Sequence, residues 1–299
     1  MNSRAYAKIN LSLDVTGRRE DGYHTLRTVL QGISLCDEVE LSDSEGGISV
    51  SCDEGDVPCG PGNTVWKAAI AFFRSSGIRG RGVRFRIWKR IPRQAGLGGG
   101  SADAAAALRL LNRRFHTAFS PGQLQKIGLQ AGADVPFCVL GGTALAEGIG
   151  EVLTPLSPLP DCWIVICKPP TGISTREAYL AFDRVGKHSN AFTESMEKAV
   201  RGGSLEKIGE SLENAFETVL FLPEVRKIKR DMISLGALGS CMTGSGSAVF
   251  GLFDSKAAAF RCLQFLKENY PDSFLCRPSG KNIFPERSAL DAFGSKSGD

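Results

Sequence analysis

The chain has 299 residues, enough for one large domain or two packed ones, and at 42% hydrophobic it can bury a substantial core. Lys and Arg number 36 against 32 Asp and Glu, and the resulting charge of +4 is too even for a dedicated nucleic-acid binder. Nine cysteines, without a C-x-x-C pair or a histidine cluster, argue against a disulfide frame or zinc site, and no apolar run nears the roughly 20 residues that span a bilayer.

The N-terminal stretch MNSRAYAKINLSLDV alternates rather than staying apolar, which does not suit a signal peptide, and the expected compartment is the cytoplasm. Within it Ile9, Leu11, Leu13 and Val15 share one face, and Lys8, Asn10, Ser12 and Asp14 the other, the period of a half-buried strand. GRREDGYHTL (17–26) reads as a polar turn, and RTVLQGISL and DEVELS as two short strands. GNTVWKAAIAFFRSSG (62–77) predicts an amphipathic helix ending at Gly77. GVRFRIWKRI (82–91) alternates again, with Val83, Phe85 and Ile87 on one side. SPGQLQKIGLQAG (120–132) predicts a helix capped by Ser120 with Pro121 just inside. DCWIVICKPP (161–170) is a short buried strand after the proline-rich TPLSPLP, which places a boundary near residue 157. Helical patterns follow at 191–217 and 223–235, a strand at 247–253 and a helix at 255–268, and the tail FGSKSGD is expected to be disordered. The sum is an α+β protein of two lobes, 1–157 and 158–299.

Four glycines fall within five residues in IPRQAGLGGGSADAAAALRLLNRRF (91–115), at the mouth of an alanine-rich helix. A tight strand-to-helix connection explains them in one way. An anion explains them in another: the first turn of a helix leaves backbone N–H groups unpaired, and glycines let a phosphate reach them. Ser101 adds a hydroxyl suited to a phosphate oxygen or Mg²⁺. The spacing fits neither G-x-x-x-x-G-K-[ST] nor G-x-G-x-x-G, whose sixth place is Ser101 here. A second cluster, MTGSGSAVFGLF (242–253), is either a hairpin turn or a second wall of one nucleotide site.

If a triphosphate lies on this loop, phosphoryl transfer is the natural chemistry, and it needs a group that takes the acceptor hydroxyl's proton. AGADVPFCVLGG (131–142) offers Asp134 in an apolar setting, as that base, as a helix cap, or as both. Lys8 is the cation that would hold it ionised and steady the moving phosphoryl group; otherwise it is a solvated lysine on a strand face. The run Arg79, Arg81, Arg84, Arg86, Lys89, Arg90 and Arg93 reads mainly as a solvated outer face, although RNA binding without catalysis is a rival of a different class.

These residues together resemble the GHMP kinase superfamily, named for its galactokinase, homoserine, mevalonate and phosphomevalonate kinases. PRQAGLGGGSADAA is similar to its ATP motif and MTGSGSAVFGLF to its third, C-terminal glycine motif. AKINLSLDVTGRREDGYHTL, GADVPF and GEVLTPL resemble the branch that phosphorylates a cytidyl-diphosphate-linked sugar alcohol on the mevalonate-independent route to isoprenoids. The alternative is a mevalonate- or homoserine-type kinase. The resemblance implies a mixed or antiparallel two-lobe fold, ATP and Mg²⁺, a small-molecule acceptor, no nucleic acid or membrane partner, and a monomer or homodimer. It implies Lys8 and Asp134 as the catalytic pair. It places ATP on Pro92, Arg93, Gln94, Ala95, Gly96, Leu97, Gly98, Gly99, Gly100, Ser101 and Ala102, with Asn63 and Lys89 nearer the adenosine and Ser101 facing the metal. It places the cytidyl acceptor at Asn10, Tyr23, His24 and Tyr179. Tyr6 stands where proline usually precedes AKINL, Ala102 replaces a second serine, and Ser247–Ala248 replace a Pro-Thr pair.

Overall fold

Two long antiparallel strands, β1 (Asn2–Arg18) and β2 (His24–Ser44), make the spine of the protein. The computed structural model describes residues 1–55, 57–185 and 192–280; the tail FGSKSGD and His188 lie outside them. After β2 come β3 (Ile48–Cys52), α1 (Thr64–Ser76), β4 (Gly82–Trp88), α2 (Gly99–Arg114), α3 (Pro121–Leu129), α4 (Val135–Leu140), β5 (Thr143–Glu147) and β6 (Val152–Pro155). The chain then passes to β7 (Trp163–Cys167), α5 (Thr175–Val185), α6 (Phe192–Gly202), α7 (Leu205–Glu210), β8 (Glu213–Asn214) and a 3₁₀ turn, Ala215–Thr218. It ends with α8 (Pro223–Ser234), β9 (Gly239–Met242), β10 (Val249–Phe253), α9 (Lys256–Lys267) and β11 (Ser273–Cys276).

The strands form two sheets. The first has seven strands, ordered β3-β4-β2-β1-β8, with β5 on β2 and β6 on β5; β3 runs parallel to β4 and β8 to β1, and the other pairs are antiparallel. The second, ordered β11-β7-β10-β9, is antiparallel throughout. The fold is therefore α+β with mixed and antiparallel sheets.

Local chemistry explains the helix ends. Asn63 caps α1 by accepting from the Val65 N–H, and Gly77 ends it in the left-handed region. Ser120 and Gln123 form a capping box on α3. Helix α2 differs: its cap is Gly98, with no side chain to answer the first amides. Ala102 through Leu111 are all buried, and the alanines let α1, α4 and the first sheet close in around α2.

Several sequence expectations change. The polar face of β1 is not solvated: Lys8, Asn10, Ser12 and Asp14 are as buried as the apolar face, because the glycine-rich turns and α6 lie against them. The two short strands expected across 27–42 are one strand, β2, whose register shifts against β1 absorb the irregularity. The helical pattern at 191–217 breaks into α6, α7, β8 and the 3₁₀ turn; Gly203 in the left-handed region stops the first piece and Ser204 caps the next. Helix α5 and strands β3, β5, β6, β9 and β11, which the periodicity does not mark, are additional elements. Arg84 and Arg86 do face outward from β4, between buried Val83, Phe85 and Ile87.

The two glycine clusters touch. A Cβ on Gly96 would lie 2.0 Å from the Thr243 carbonyl oxygen, and Gly96 has φ +73°. The Ala248 N–H donates to the Ala95 carbonyl at 3.3 Å across the same seam. The glycine at 96 thus admits the chain's own second turn. We expect Gly96→Ala to cost more than about 2 kcal/mol, from left-handed strain plus the clash. A melting temperature within a degree or two of wild type would contradict this packing.

Candidate active site

Lys8 reaches the site from the middle of β1. Its backbone N–H donates to the Leu97 carbonyl at 3.0 Å, which fastens the first glycine loop to the strand. Its side chain then passes between the two loops, where a Cβ on Gly98 would come within 3.0 Å of its Cγ and one on Gly244 within 3.5 Å of its Nζ. The ammonium donates to Asn10 Oδ1 at 2.8 Å and lies 3.6 Å from Asp134 Oδ2.

Asp134 is the N-cap residue of α4, yet its side chain makes no capping hydrogen bond. The capping role open in the sequence is therefore not the one its side chain plays. Pro136 lacks an N–H, and the short helix needs little from its cap. The carboxylate is left beside Lys8, with a side chain 39% exposed.

Asn10 is held on every side. Its backbone N–H donates to Thr243 Oγ1 at 3.0 Å, and its Nδ2 donates to Thr28 Oγ1 at 2.9 Å. The amide oxygen is thereby turned toward Lys8. Asn10 thus orients the ammonium and borders the cavity. Asn214 holds the second turn from below, its Nδ2 donating to the carbonyls of Met242 and Gly244, both at 2.8 Å. Thr243 reaches Asn10 and Gly96 across well over a hundred residues, so no local pattern marks it, and the local role of Asn214, capping the Phe216 N–H, does not reveal its hold on the second turn.

A cavity of about 1040 Å³ opens on this pair. It lies at the upper end of the size range of small-molecule sites, with room for two ligands. The expected residues Lys8, Asn10, Tyr23, His24, Asn63, Lys89, Asp134 and Tyr179 line it, together with Pro92 through Ser101. Ala102 does not; it is buried beneath the loop. From the second cluster Gly244, Ser245 and Gly246 line it, whereas Ser247 turns inward and donates to the Thr171 carbonyl.

At one end stand aromatic groups. His24 stacks on Tyr179 with ring centroids 4.5 Å apart, and its Nε2 pairs with Asp183 Oδ1 at 2.6 Å, which itself faces Arg18 at 3.5 Å. Burial, with the Asp134 charge, pushes the Tyr179 hydroxyl up to about 12, so it stays a neutral phenol. Tyr23 is well exposed at the mouth. Asp183 and Arg18 were not marked by the sequence.

At the other end Lys89 is not a free cation. Its ammonium is paired with Asp37 and, at 2.7 Å, with Asp103. Asp37 also accepts from the backbone N–H groups of Arg90 and Ile91, at 2.5 and 2.8 Å. Burial opposes the Lys89 charge, but the two carboxylates outweigh it and raise its pKa. Asp103 is pushed up to about 7 by burial, which with the Asp37 charge exceeds the pull of Lys89. Asn63 is likewise engaged, accepting from the Val65 N–H and donating to the Pro58 carbonyl.

For magnesium, the described residues hold no group of three or more His, Cys, Asp or Glu that could cage an ion. The half-buried Ser101 hydroxyl on the first turn of α2 fits an ion carried in on nucleotide phosphates, the usual manner for Mg²⁺. The nine cysteines are free thiols, and burial pushes that of Cys138 up to about 12, well away from a reactive thiolate. No helix among the described residues is long and apolar enough to cross a membrane.

The Asp103 shift has a sign that melting can read. Its folded pKa lies above the unfolded value of 3.8, so the stability it adds is complete below that value and is lost as pH rises through about 7. Asp103→Asn cannot titrate. The stability of wild type relative to Asp103→Asn should therefore fall between about pH 4 and pH 7 and level off above it; a constant difference in calorimetry would refute the shift.

The sequence matches the family models described as GHMP kinases N terminal domain, over residues 63–142, and GHMP kinases C terminal, over residues 196–272. It is 44% identical to a protein of Clostridium novyi named 4-diphosphocytidyl-2-C-methyl-D-erythritol kinase, over 92% of this chain and 98% of that one. A protein of the same name from Clostridium botulinum is 42% identical over 93% and 99%. A crystal structure of 4-(cytidine 5'-diphospho)-2C-methyl-D-erythritol kinase superposes with a TM-score of 0.79 at 34% identity, covering 94% of this chain and all of that one. Homoserine kinase from Cytophaga hutchinsonii, at 19% identity and a TM-score of 0.72 over 93% and 95% of the two chains, shares the fold.

Proposed function

The chain belongs to the GHMP kinases, in the branch of the 4-diphosphocytidyl-2-C-methyl-D-erythritol kinases, and from that premise we propose how its own residues perform the transfer. The terminal phosphoryl group of ATP passes to the 2-hydroxyl of 4-diphosphocytidyl-2-C-methyl-D-erythritol. The observation that carries the reading is the Lys8–Asp134 pair, 3.6 Å apart, in one cavity with an uncapped helix N-terminus.

The triphosphate lies along the amides of 96–101, where the helix dipole and unpaired N–H groups favour anionic oxygens. Glycines 96 and 98 let Thr243 and Lys8 close against the same loop. Asp134 takes the proton of the acceptor hydroxyl, whose oxygen forms the new bond to the terminal phosphorus. The bond from that phosphorus to the bridging oxygen breaks, and ADP departs with the electron pair. Lys8 faces the forming negative charge. Its low exposure means that little water reorganises around it during the transfer. A magnesium ion bound by the phosphates and the Ser101 hydroxyl would neutralise charge on the leaving side.

The acceptor's base is placed at Tyr23, His24 and Tyr179. A stacked pair of flat rings with a hydrogen-bonded histidine edge suits a pyrimidine. A small hydroxy acid such as mevalonate would leave these rings without a partner, which favours the cytidyl acceptor over the alternative kinases of the same fold.

A coupled ADP-release assay tests the reading directly. ADP should form with ATP, Mg²⁺ and the cytidyl acceptor, and not with mevalonate or homoserine. Asp134→Asn should lower kcat by roughly 10²–10⁴ while ATP still binds; turnover near wild type removes the base assignment. His24→Ala should raise KM for the acceptor far more than it lowers kcat. A pure kcat loss would move that residue away from recognition.

A further inference from the structure

The end of the cavity opposite Lys8 holds one acceptor that the fold leaves unanswered. Lys8 meets the glycine loop at Leu97 and Gly98. The far side is met by Thr64, whose hydroxyl donates to the Gly100 carbonyl at 2.7 Å, and by Lys89, whose Nζ would lie 3.4 Å from a Cβ on Gly99. A triphosphate with its reacting end at Lys8 therefore carries its nucleoside toward Val57, Pro58, Asn63, Lys89, Ile91 and Asp103.

Three polar side chains stand there. The Asn63 amide is used at both ends by the protein. Lys89 gives two of its three N–H groups to Asp37 and Asp103. Asp103 is 4% exposed; its Oδ2 accepts from Lys89, and its Oδ1 is buried with no hydrogen-bond partner. A buried carboxylate oxygen without a donor is costly, and a protein that keeps one beside a cavity has a use for it.

We infer that Asp103 Oδ1 accepts from the exocyclic amine of the donor's adenine, so that Asp103 selects the base of the phosphoryl donor. Beside it the remaining N–H of Lys89 presents a donor. Adenine answers that pattern, with an amine flanked by ring nitrogens that accept. Where Asp103 is ionised, above its pKa of about 7, a 6-oxo purine sets a carbonyl oxygen against the carboxylate and is rejected by an unpaired, repulsive contact. This rests on the reading of the cavity as the ATP site.

The test is equilibrium binding above pH 8, where Asp103 is ionised, to the full chain, without acceptor, of ATP, of inosine triphosphate and of inorganic tripolyphosphate. Wild type should prefer ATP to inosine triphosphate by about 10- to 100-fold, the range for a hydrogen bond to a charged group. In Asp103→Asn the Lys89 ammonium holds the amide oxygen, which turns the NH₂ toward the base. The preference should then collapse or invert, with tripolyphosphate binding unchanged. Asp103→Ser, which adds no bulk, should lose the preference as well and carries the test if the asparagine variant does not fold. A wild type that does not distinguish the two nucleotides overturns the assignment, and so does a variant that keeps the wild-type ratio. If no triphosphate binds wild type, the ATP reading falls and takes this with it; binding without base preference removes this assignment alone.

Discussion

A lysine whose side chain is almost wholly buried dictates the arrangement around it. An ammonium taken out of water needs acceptors close by, and Lys8 has Asn10 Oδ1 and the Asp134 carboxylate. Reaching them requires a passage between two stretches of backbone, which only residues without side chains can leave open. Glycines 98 and 244 line that passage. The strand, both turns and the start of α4 are thus fixed relative to one charge. The fold holds the reacting groups in place before any ligand arrives, and this is how electrostatic preorganisation is achieved.

The cavity divides its polar groups by task. Beside Lys8 Asp134 stays partly exposed, as the proposed base must, while Asn10 and Thr243 behind it are bonded to each other. At the end proposed for the nucleoside Lys89 is balanced by two carboxylates, Asp37 and Asp103. At the aromatic end Asp183 is shared between His24 and Arg18. Lys89 and Arg18 are thus tied to carboxylates away from the Lys8–Asp134 pair.

Much of this is legible in the residues and some is not. The helix end at Gly77 and the helix start at Ser120 follow from local capping chemistry, and so are read correctly. The alternation of Lys8, Asn10, Ser12 and Asp14 shows that they share a face, but period two says nothing of what lies against it; the solvated face turns out to be the interior of the site. The glycine loop announces a close approach. Its sequence cannot say that at Gly96 the approaching group is the Thr243 carbonyl, from a turn well over a hundred residues away. Asp103 stands in plain view within an alanine run, where a carboxylate invites attention, but only the fold shows that Lys89 and Asp37 surround it. Asp183 leaves no trace, because its partners His24 and Arg18 are distant in the chain; Asn214 shows only as a local cap on the Phe216 N–H, not as a support of the second turn.

Strand β1 has a role beyond carrying Lys8. Ile9 and Leu11 belong to the core beneath the first sheet, and Leu13 and Val15 to the core around the second. Its edge also pairs with β8, which arrives from the C-terminal half. One seventeen-residue segment is therefore common property of both halves. Neither half keeps its interior if that segment is withdrawn, so fragments cut at the proline-rich crossover would need each other to rebuild it.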